Sequence, residues 1–302
     1  MSEWIEITTI MGCANNCVYC PQDVLLNIFF KINKTTDKKL SFDDFKNMLS
    51  KIPKRIKISF SGFAEPFVNE DTVKMLIFAH EQGFAVEVFS TLRGLDISDI
   101  KLMSTIPFVD FCVHIPDADG LMIYDIDDNY KEKLTLIKSR NFSNLRFLTI
   151  GRINKELNLL LGNKIGELPI ISRGNNLKMF NLDKNIKVQD ASIQRKGRKI
   201  VCNHRFYGKR KGCYSEVETP VLLPNGEMTL CCMDYGLKHV LGNLKNNTYD
   251  EIMNGSVIKR IRKSMKNQND DFLLCRSCEW AKEYDLRKWK NFLKTGKYEN
   301  AG

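Results

Sequence analysis

Residues 13–20 read Cys-Ala-Asn-Asn-Cys-Val-Tyr-Cys, so Cys13, Cys17 and Cys20 stand in a C-x₃-C-x₂-C run. The run follows Trp4–Thr9, which reads as a strand. Whatever fold forms must therefore end its first strand in a short loop that gathers three thiols. Three thiolates can hold three irons of a four-iron cluster and leave the fourth iron open to a small molecule, whereas a closed structural site wants four ligands. Zinc held by the three plus a distant ligand is the alternative, although zinc sites usually come as paired two-cysteine knuckles. A disulfide is the weakest reading. The chain has ten cysteines and no apolar stretch of signal-peptide type at its start. That combination favours a reducing cytoplasm, where such clusters bind metals or act in catalysis.

After the loop, short apolar runs alternate with helix-like segments. Arg55–Ser61, Ala85–Thr91, Phe108–His114 and Asn144–Gly151 read as strands. Helices are expected from Ser41 to about Ser50, Asp71–Gln82, Ser98–Ser104 and Tyr130–Ser139. Ser41 can cap the first of these, with an acidic residue three places on, and Gly83 stops the second. Strand and helix alternating at this spacing argue for parallel βα units. A full eight-unit barrel takes ~250 residues. Too few residues precede Cys213 for that, which favours a partial (β/α)6 TIM-like barrel, with a sixth strand near Leu177–Phe180. In Phe108–His114 the residues Asp110, Cys112 and His114 share one face while Val109, Phe111 and Val113 share the other, so the polar face would line the lumen.

Beyond about residue 205 the pattern changes to a small β-hairpin plus helices. Val217–Leu223 and Glu227–Cys232 flank Pro224-Asn225-Gly226, a tight-turn signal. Thr248–Met253, Val257–Met265 and Glu279–Leu293 read as helical. This region holds a second thiol set, Cys213, Cys231, Cys275 and Cys278, which suits a closed four-thiolate site. The division is 1–205 for the barrel and 206–302 for the auxiliary-cluster domain.

With Tyr19 placed just before Cys20, the first run resembles the signature of the radical S-adenosylmethionine (SAM) enzymes. That resemblance implies that the amino and carboxylate groups of SAM chelate the open iron. One electron then cleaves SAM to a 5′-deoxyadenosyl radical, which abstracts hydrogen from substrate. Ser61-Gly62-Phe63-Ala64-Glu65-Pro66 resembles the family's Gly-Gly-Glu motif, with Ala64 in place of the usual second glycine. The resemblance puts Tyr19, Gly62 and Glu65 around SAM, and a carboxylate suits its ammonium. Ser90 and Thr91, at the next strand end, could hydrogen-bond the ribose or the methionine carboxylate, or simply cap the strand. His114-Ile-Pro-Asp117 resembles a His-Leu-Pro-Asp stretch of related enzymes and places His114 with the cofactor-binding set.

The layout C-x₁₂-G-x₄-C, a long gap and then C-x₂-C resembles the SPASM and twitch extensions of the same family. No cysteine follows Cys278, which fits the shorter form and one auxiliary cluster, giving two [4Fe-4S] clusters in all. The family also implies a low-potential electron donor such as flavodoxin or ferredoxin. Arg152 and Arg173 are candidate substrate contacts, since arginine clamps anionic groups. Cys112 and Cys232 are candidate hydrogen-atom donors.

The resulting expectation is a radical SAM oxidoreductase acting on a small carbohydrate- or nucleotide-linked molecule, with a peptide maturase or an epimerase as the alternative. Peptide maturases often carry a leader-binding domain ahead of the cluster loop, and this loop begins at residue 13. The net charge of +10 keeps a third reading open, a zinc-holding, basic nucleic-acid-binding protein. It leaves the cysteine loop and the Gly62–Glu65 turn unexplained, so nucleic acid is disfavoured. No apolar run is long enough for a membrane span.

Overall fold

The computed structural model describes residues 4–34, 38–168, 200–202, 219–266, 272 and 281–283. Strands β1 (Trp4–Ile7), β2 (Lys57–Phe60), β3 (Val86–Ser90), β4 (Asp110–His114), β5 (Leu145–Ile150) and β6 (Ile165–Leu168) pair in chain order, all parallel. Helices α1 (Gln22–Asn33), α2 (Phe42–Leu49), α3 (Thr72–Glu81), α4 (Ile97–Met103), α5 (Asp128–Ser139) and α6 (Lys155–Leu160) fill the crossovers. The fold is an α/β partial barrel of six parallel units followed by antiparallel strands and helices.

The pleat explains the layering. Ile5, Ile7, Ile58, Phe60, Val86, Val88, Phe111 and Val113 are all buried beneath the helices, against Phe45, Met48, Met75, Leu76, Ile100, Met103, Leu134 and Ile137. The residues between them face the lumen. Glu6, Ser59, Glu87 and Asp110 stand side by side in register across β1 to β4. One step nearer the strand tips, Phe89, Cys112 and Arg146 form the next row. Helix starts follow local chemistry. The Ser41 hydroxyl accepts the Asp44 N–H at 3.1 Å, and the Asp127 carboxylate accepts the Tyr130 N–H at 2.7 Å.

The later segments join the same sheet. A short pair, β7 (Ile200–Cys202) with a strand late in the chain, stands apart. Then β8 (Val221–Leu222) lies parallel to β1, with Glu6 opposite Val221 and Ile7 opposite Leu222. β9 (Glu227–Thr229) and β10 (Val240–Asn243) continue from it antiparallel. The nine-strand order is β10-β9-β8-β1-β2-β3-β4-β5-β6. Leu222, Met228, Leu230, Leu241 and Ile252 belong to the same apolar cluster as the barrel strands, together with Ile258. Sheet and core thus run across the division drawn at 205/206. α7 (Tyr249–Met253) and α8 (Ser256–Lys266) follow. The hairpin turns at Gly226, whose φ of +90° only glycine adopts freely; an added Cβ would also sit 2.6 Å from Asn243 Oδ1. Among the described residues, no helix is long and apolar enough to cross a membrane.

Two expectations are corrected. The strand beside β5 is Ile165–Leu168, not a segment near Leu177–Phe180, which lies outside the described residues. Residues 281–283, expected within a helix over Glu279–Leu293, form β11 (Ala281–Glu283), antiparallel to β7. Ala, Lys and Glu are good helix formers, so pairing overrides local propensity here.

Candidate active site at the strand tips

The loop from Thr8 to Pro21 leaves the end of β1 and carries Cys13, Cys17 and Cys20, each half-buried. It is held from several sides. The Thr9 hydroxyl donates to the Pro66 carbonyl at 2.8 Å, and Asn69 Nδ2 donates to the Thr9 carbonyl at 2.8 Å. The Val18 N–H donates to the Leu121 carbonyl at 2.8 Å, and the Cys20 N–H to the Cys17 carbonyl at 2.9 Å. Tyr19 is buried against Leu121. Burial pushes the Cys13 thiol up; N–H groups of Asn15 and Glu65 donate to its sulfur and pull it down, and the nearby Glu65 and Cys20 charges add to the rise.

Glu65 follows β2 and is buried. Its carboxylate collects donors from the end of β3: the Ser90 hydroxyl at 2.6 Å, the Thr91 N–H at 2.6 Å and the Thr91 hydroxyl at 2.7 Å. The Phe67 N–H adds a bond at 3.4 Å. Burial pushes this carboxyl up, against the pull of those donors. Gly62 makes the approach possible. At φ +85° it lets the chain pass so close to β1 that an added Cβ would sit 2.4 Å from Thr8 Oγ1, which accepts the Phe63 N–H at 3.1 Å.

The structure thus brings Gly62, Glu65, Ser90 and Thr91 together beside Cys13, at neighbouring strand tips. In this arrangement Ser90 and Thr91 spend their hydroxyls on Glu65. His114 ends β4, half-buried, and β4 carries buried Cys112 on the lumen face. Burial pushes the Cys112 thiol up to about 12, with Arg146 opposing, so it stays protonated at neutral pH. Arg152 is exposed and ion-paired with Asp119, its Nε donating at 2.6 Å. Cys231 is buried and Cys232 half-buried, packed against the small apolar cluster of Met11, Leu25, Phe29, Phe63 and Tyr235. Cys213, Cys275, Cys278 and Arg173 lie outside the described residues.

Asn15, Arg93 and Arg146 carried no sequence signal, and Asp110 and Asp117 stood in noted stretches without an assigned role. Asn15 donates from Nδ2 to the Thr91 hydroxyl at 2.9 Å and accepts Arg93 Nε at 2.5 Å. Arg93 also donates to the Ile123 carbonyl at 2.8 Å and lies over the Tyr124 ring at 4.5 Å. This strut ties the cysteine loop to the end of β3. Asp117 accepts N–H groups from Asp119, Leu121 and Met122, shaping the loop on which Tyr19 rests. Deeper in the lumen Arg146 clamps Asp110 with three bonds of 2.7–3.0 Å. Burial raises the neighbouring Glu87, opposed first by the Ser59 hydroxyl.

The donor set suits an iron–sulfur cluster. All three candidate ligands of the loop are thiols, which are soft, and N–H groups already point at one sulfur, as thiolate bound to iron requires. Among the described residues, no three His, Cys, Asp or Glu side chains gather tightly enough for a single metal ion.

Residues 213–279 match the SPASM family, described as an iron-sulfur cluster-binding domain. Three solved structures share the fold over most of this chain. BtrN in complex with AdoMet and 2-DOIA is 12% identical, with 93% of each chain covered and a TM-score of 0.52. The anSMEcpe structure with bound AdoMet and the Cp18Cys peptide is 12% identical, covering 92% of this chain and 86% of that one, with a TM-score of 0.53. Streptococcus suis SuiB bound to precursor peptide SuiA is 13% identical, covering 93% and 70%, with a TM-score of 0.55. At these identities the likeness is one of fold, and the family match covers residues 213–279. No curated protein sequence matches the chain.

Proposed function

We propose that this chain is a radical SAM enzyme that holds one [4Fe-4S] cluster on Cys13, Cys17 and Cys20. A second would sit on Cys213, Cys231, Cys275 and Cys278. The observation that carries the reading is the pairing of an all-thiol loop with a buried carboxylate, Glu65, whose backbone N–H also reaches Cys13. When bound, cluster and SAM supply reductive cleavage of the sulfonium and an oxidant strong enough to remove hydrogen from carbon.

The chain's own residues do the rest. Glu65 binds and orients the SAM ammonium while it ties β2 to β3. Asn15 and Arg93 hold the loop against the Thr91 tip. Tyr19, packed on Leu121, keeps water from the inner side of the loop. A low-potential donor such as flavodoxin or ferredoxin supplies the electron in a reducing cytoplasm.

The substrate we favour is a small polar molecule. The lumen face carries Ser59, Glu87 and the Asp110–Arg146 pair, which suit the hydroxyl and amino groups of a carbohydrate-like molecule. One fold neighbour is bound to AdoMet and 2-DOIA, and two others are bound to peptides. A specific observation supports epimerisation as the second reading. Cys112 is a protonated, buried thiol on the lumen face, suited to return a hydrogen atom to a substrate radical.

Anaerobic turnover with reductant, SAM and candidate small molecules or peptides, read by mass spectrometry in deuterated water, separates these. Loss of two hydrogens from a small molecule supports dehydrogenation. Unchanged hydrogen count with one deuterium gained supports epimerisation, and a modified peptide overturns the small-molecule reading.

A further inference from the structure

The Cys20 sulfur has a partner from the far end of the chain. The Tyr235 hydroxyl lies 3.2 Å from Cys20 Sγ, across a sequence separation of 215 residues. Tyr235 is buried, and its ring meets Phe63 edge-on at 5.0 Å between centroids. Phe63 belongs to the Gly62–Glu65 turn, so the tyrosine touches both the cysteine loop and the turn beside it. Gln22 Nε2 adds a weaker contact to the same sulfur at 3.5 Å and also donates to the Phe63 carbonyl.

The loop that presents Tyr235 is itself fastened. The Asp234 N–H donates to the Cys231 carbonyl at 3.0 Å, and the Leu237 N–H to the Asp234 carbonyl at 3.0 Å. The Asp234 carboxylate accepts the Lys238 and His239 N–H groups, each at 2.8 Å. The aromatic ring is therefore positioned by a rigid turn on one side and by Phe63 on the other. Cys231, at the start of that turn, is a proposed ligand of the auxiliary cluster.

We infer that Tyr235 is a positioning residue that donates its hydroxyl hydrogen to the Cys20 thiolate and raises the reduction potential of the cluster on Cys13, Cys17 and Cys20. This deepens the proposed function and rests on it. The direction of donation follows from chemistry. A thiolate bound to iron carries no proton and only accepts, so the phenol must donate. The sign follows from charge. Reduction adds negative charge that spreads onto the sulfurs, and a donor at sulfur stabilises the reduced form more than the oxidised one. Tyr235 is fully buried and Cys20 half-buried, so water screens this bond only in part.

The test is a redox titration of the anaerobically reconstituted full-length protein against dithionite, followed by EPR. The signal that changes when SAM is added reports the N-terminal cluster and sets it apart from the auxiliary one. Tyr235→Phe keeps the ring and its packing on Phe63 and removes only the hydroxyl. It is expected to shift the one-electron reduction equilibrium about tenfold toward the oxidised cluster, a fall of ~59 mV. Replacing Tyr235 with 3-fluorotyrosine, nearly isosteric and a stronger donor, is expected to move the potential the other way. That second substitution keeps the test open should Tyr235→Phe fold poorly. A SAM-responsive signal whose potential is unchanged by either substitution overturns this inference and leaves the proposed function standing. A wild-type protein with no SAM-responsive signal overturns the proposed function itself, and the inference with it.

Discussion

Glu65 and Asp234 are the same device used at two scales. Each is a buried carboxylate that gathers backbone N–H groups, and burial pushes each carboxyl up. Asp234 works locally, bonding residues four and five places on. Glu65 works at long range, tying its own turn after β2 to residues 25 and 26 positions later at the end of β3. The local device shapes a loop and aims one side chain. The long-range device couples two strand tips, so it sets the distance between the cysteine loop and the rest of the barrel mouth. Removing the second should therefore disturb the site as a whole, and removing the first should disturb one contact of it.

The largest effect bounds the comparison. Changing Cys13, Cys17 and Cys20 together to alanine should cut bound iron from about eight to about four per chain after anaerobic reconstitution, since two cubane clusters are expected. Iron unchanged by this variant would remove the cluster from the strand tips. Next, Glu65→Gln puts an amide N–H₂ against donors that need an acceptor. A loss of about 2–4 kcal/mol in denaturant unfolding is expected, together with a tenfold or greater loss of SAM affinity by calorimetry. Normal SAM binding in this variant would break the assignment of Glu65 to the cofactor.

Asp234→Asn keeps one acceptor oxygen for two N–H groups, so the expected cost is smaller, about 1–2 kcal/mol. A cost equal to that of Glu65→Gln would erase the distinction between the two regions. A pH dependence is expected at the end of the same loop. Burial holds His239 down to about 4, with the Lys238 charge adding to it. The unfolded chain binds the proton near the ordinary value of 6.5 and the folded chain does not, so stability should fall as pH drops from about 6.5 toward 4. His239→Gln should flatten that slope in unfolding curves. An unaltered slope would show that His239 is not the titrating group.

How much of this was legible depends on the range of the interactions. Strands β1 to β5 lie within the expected runs because alternation of apolar and polar residues is a local property. The Asn225-Gly226 turn was equally plain. The helix α1 was missed, and its start shows why: Pro21 at its cap makes no side-chain cap bond, and Asp23 in the first turn is a weak signal alone. β6 reads Ile-Gly-Glu-Leu, with little to mark it as a strand. The pairing of β8 with β1 depends on residues more than two hundred positions apart, and no local pattern announces it. The site divides the same way. The cysteines, Gly62 and Glu65 stood out by spacing. Asn15 and Arg93 became visible only once the cysteine loop and the β3 tip were neighbours, and Tyr235 only once the hairpin joined the sheet.

The central claim is that the thiols of the first loop, through the cluster they hold, cleave SAM reductively. The most direct test is to incubate the anaerobically reconstituted protein with dithionite and SAM and to measure 5′-deoxyadenosine by chromatography. The wild-type protein should accumulate it, and the triple alanine variant should form none. No 5′-deoxyadenosine from an iron-loaded wild type, or equal amounts from both proteins, would contradict the account.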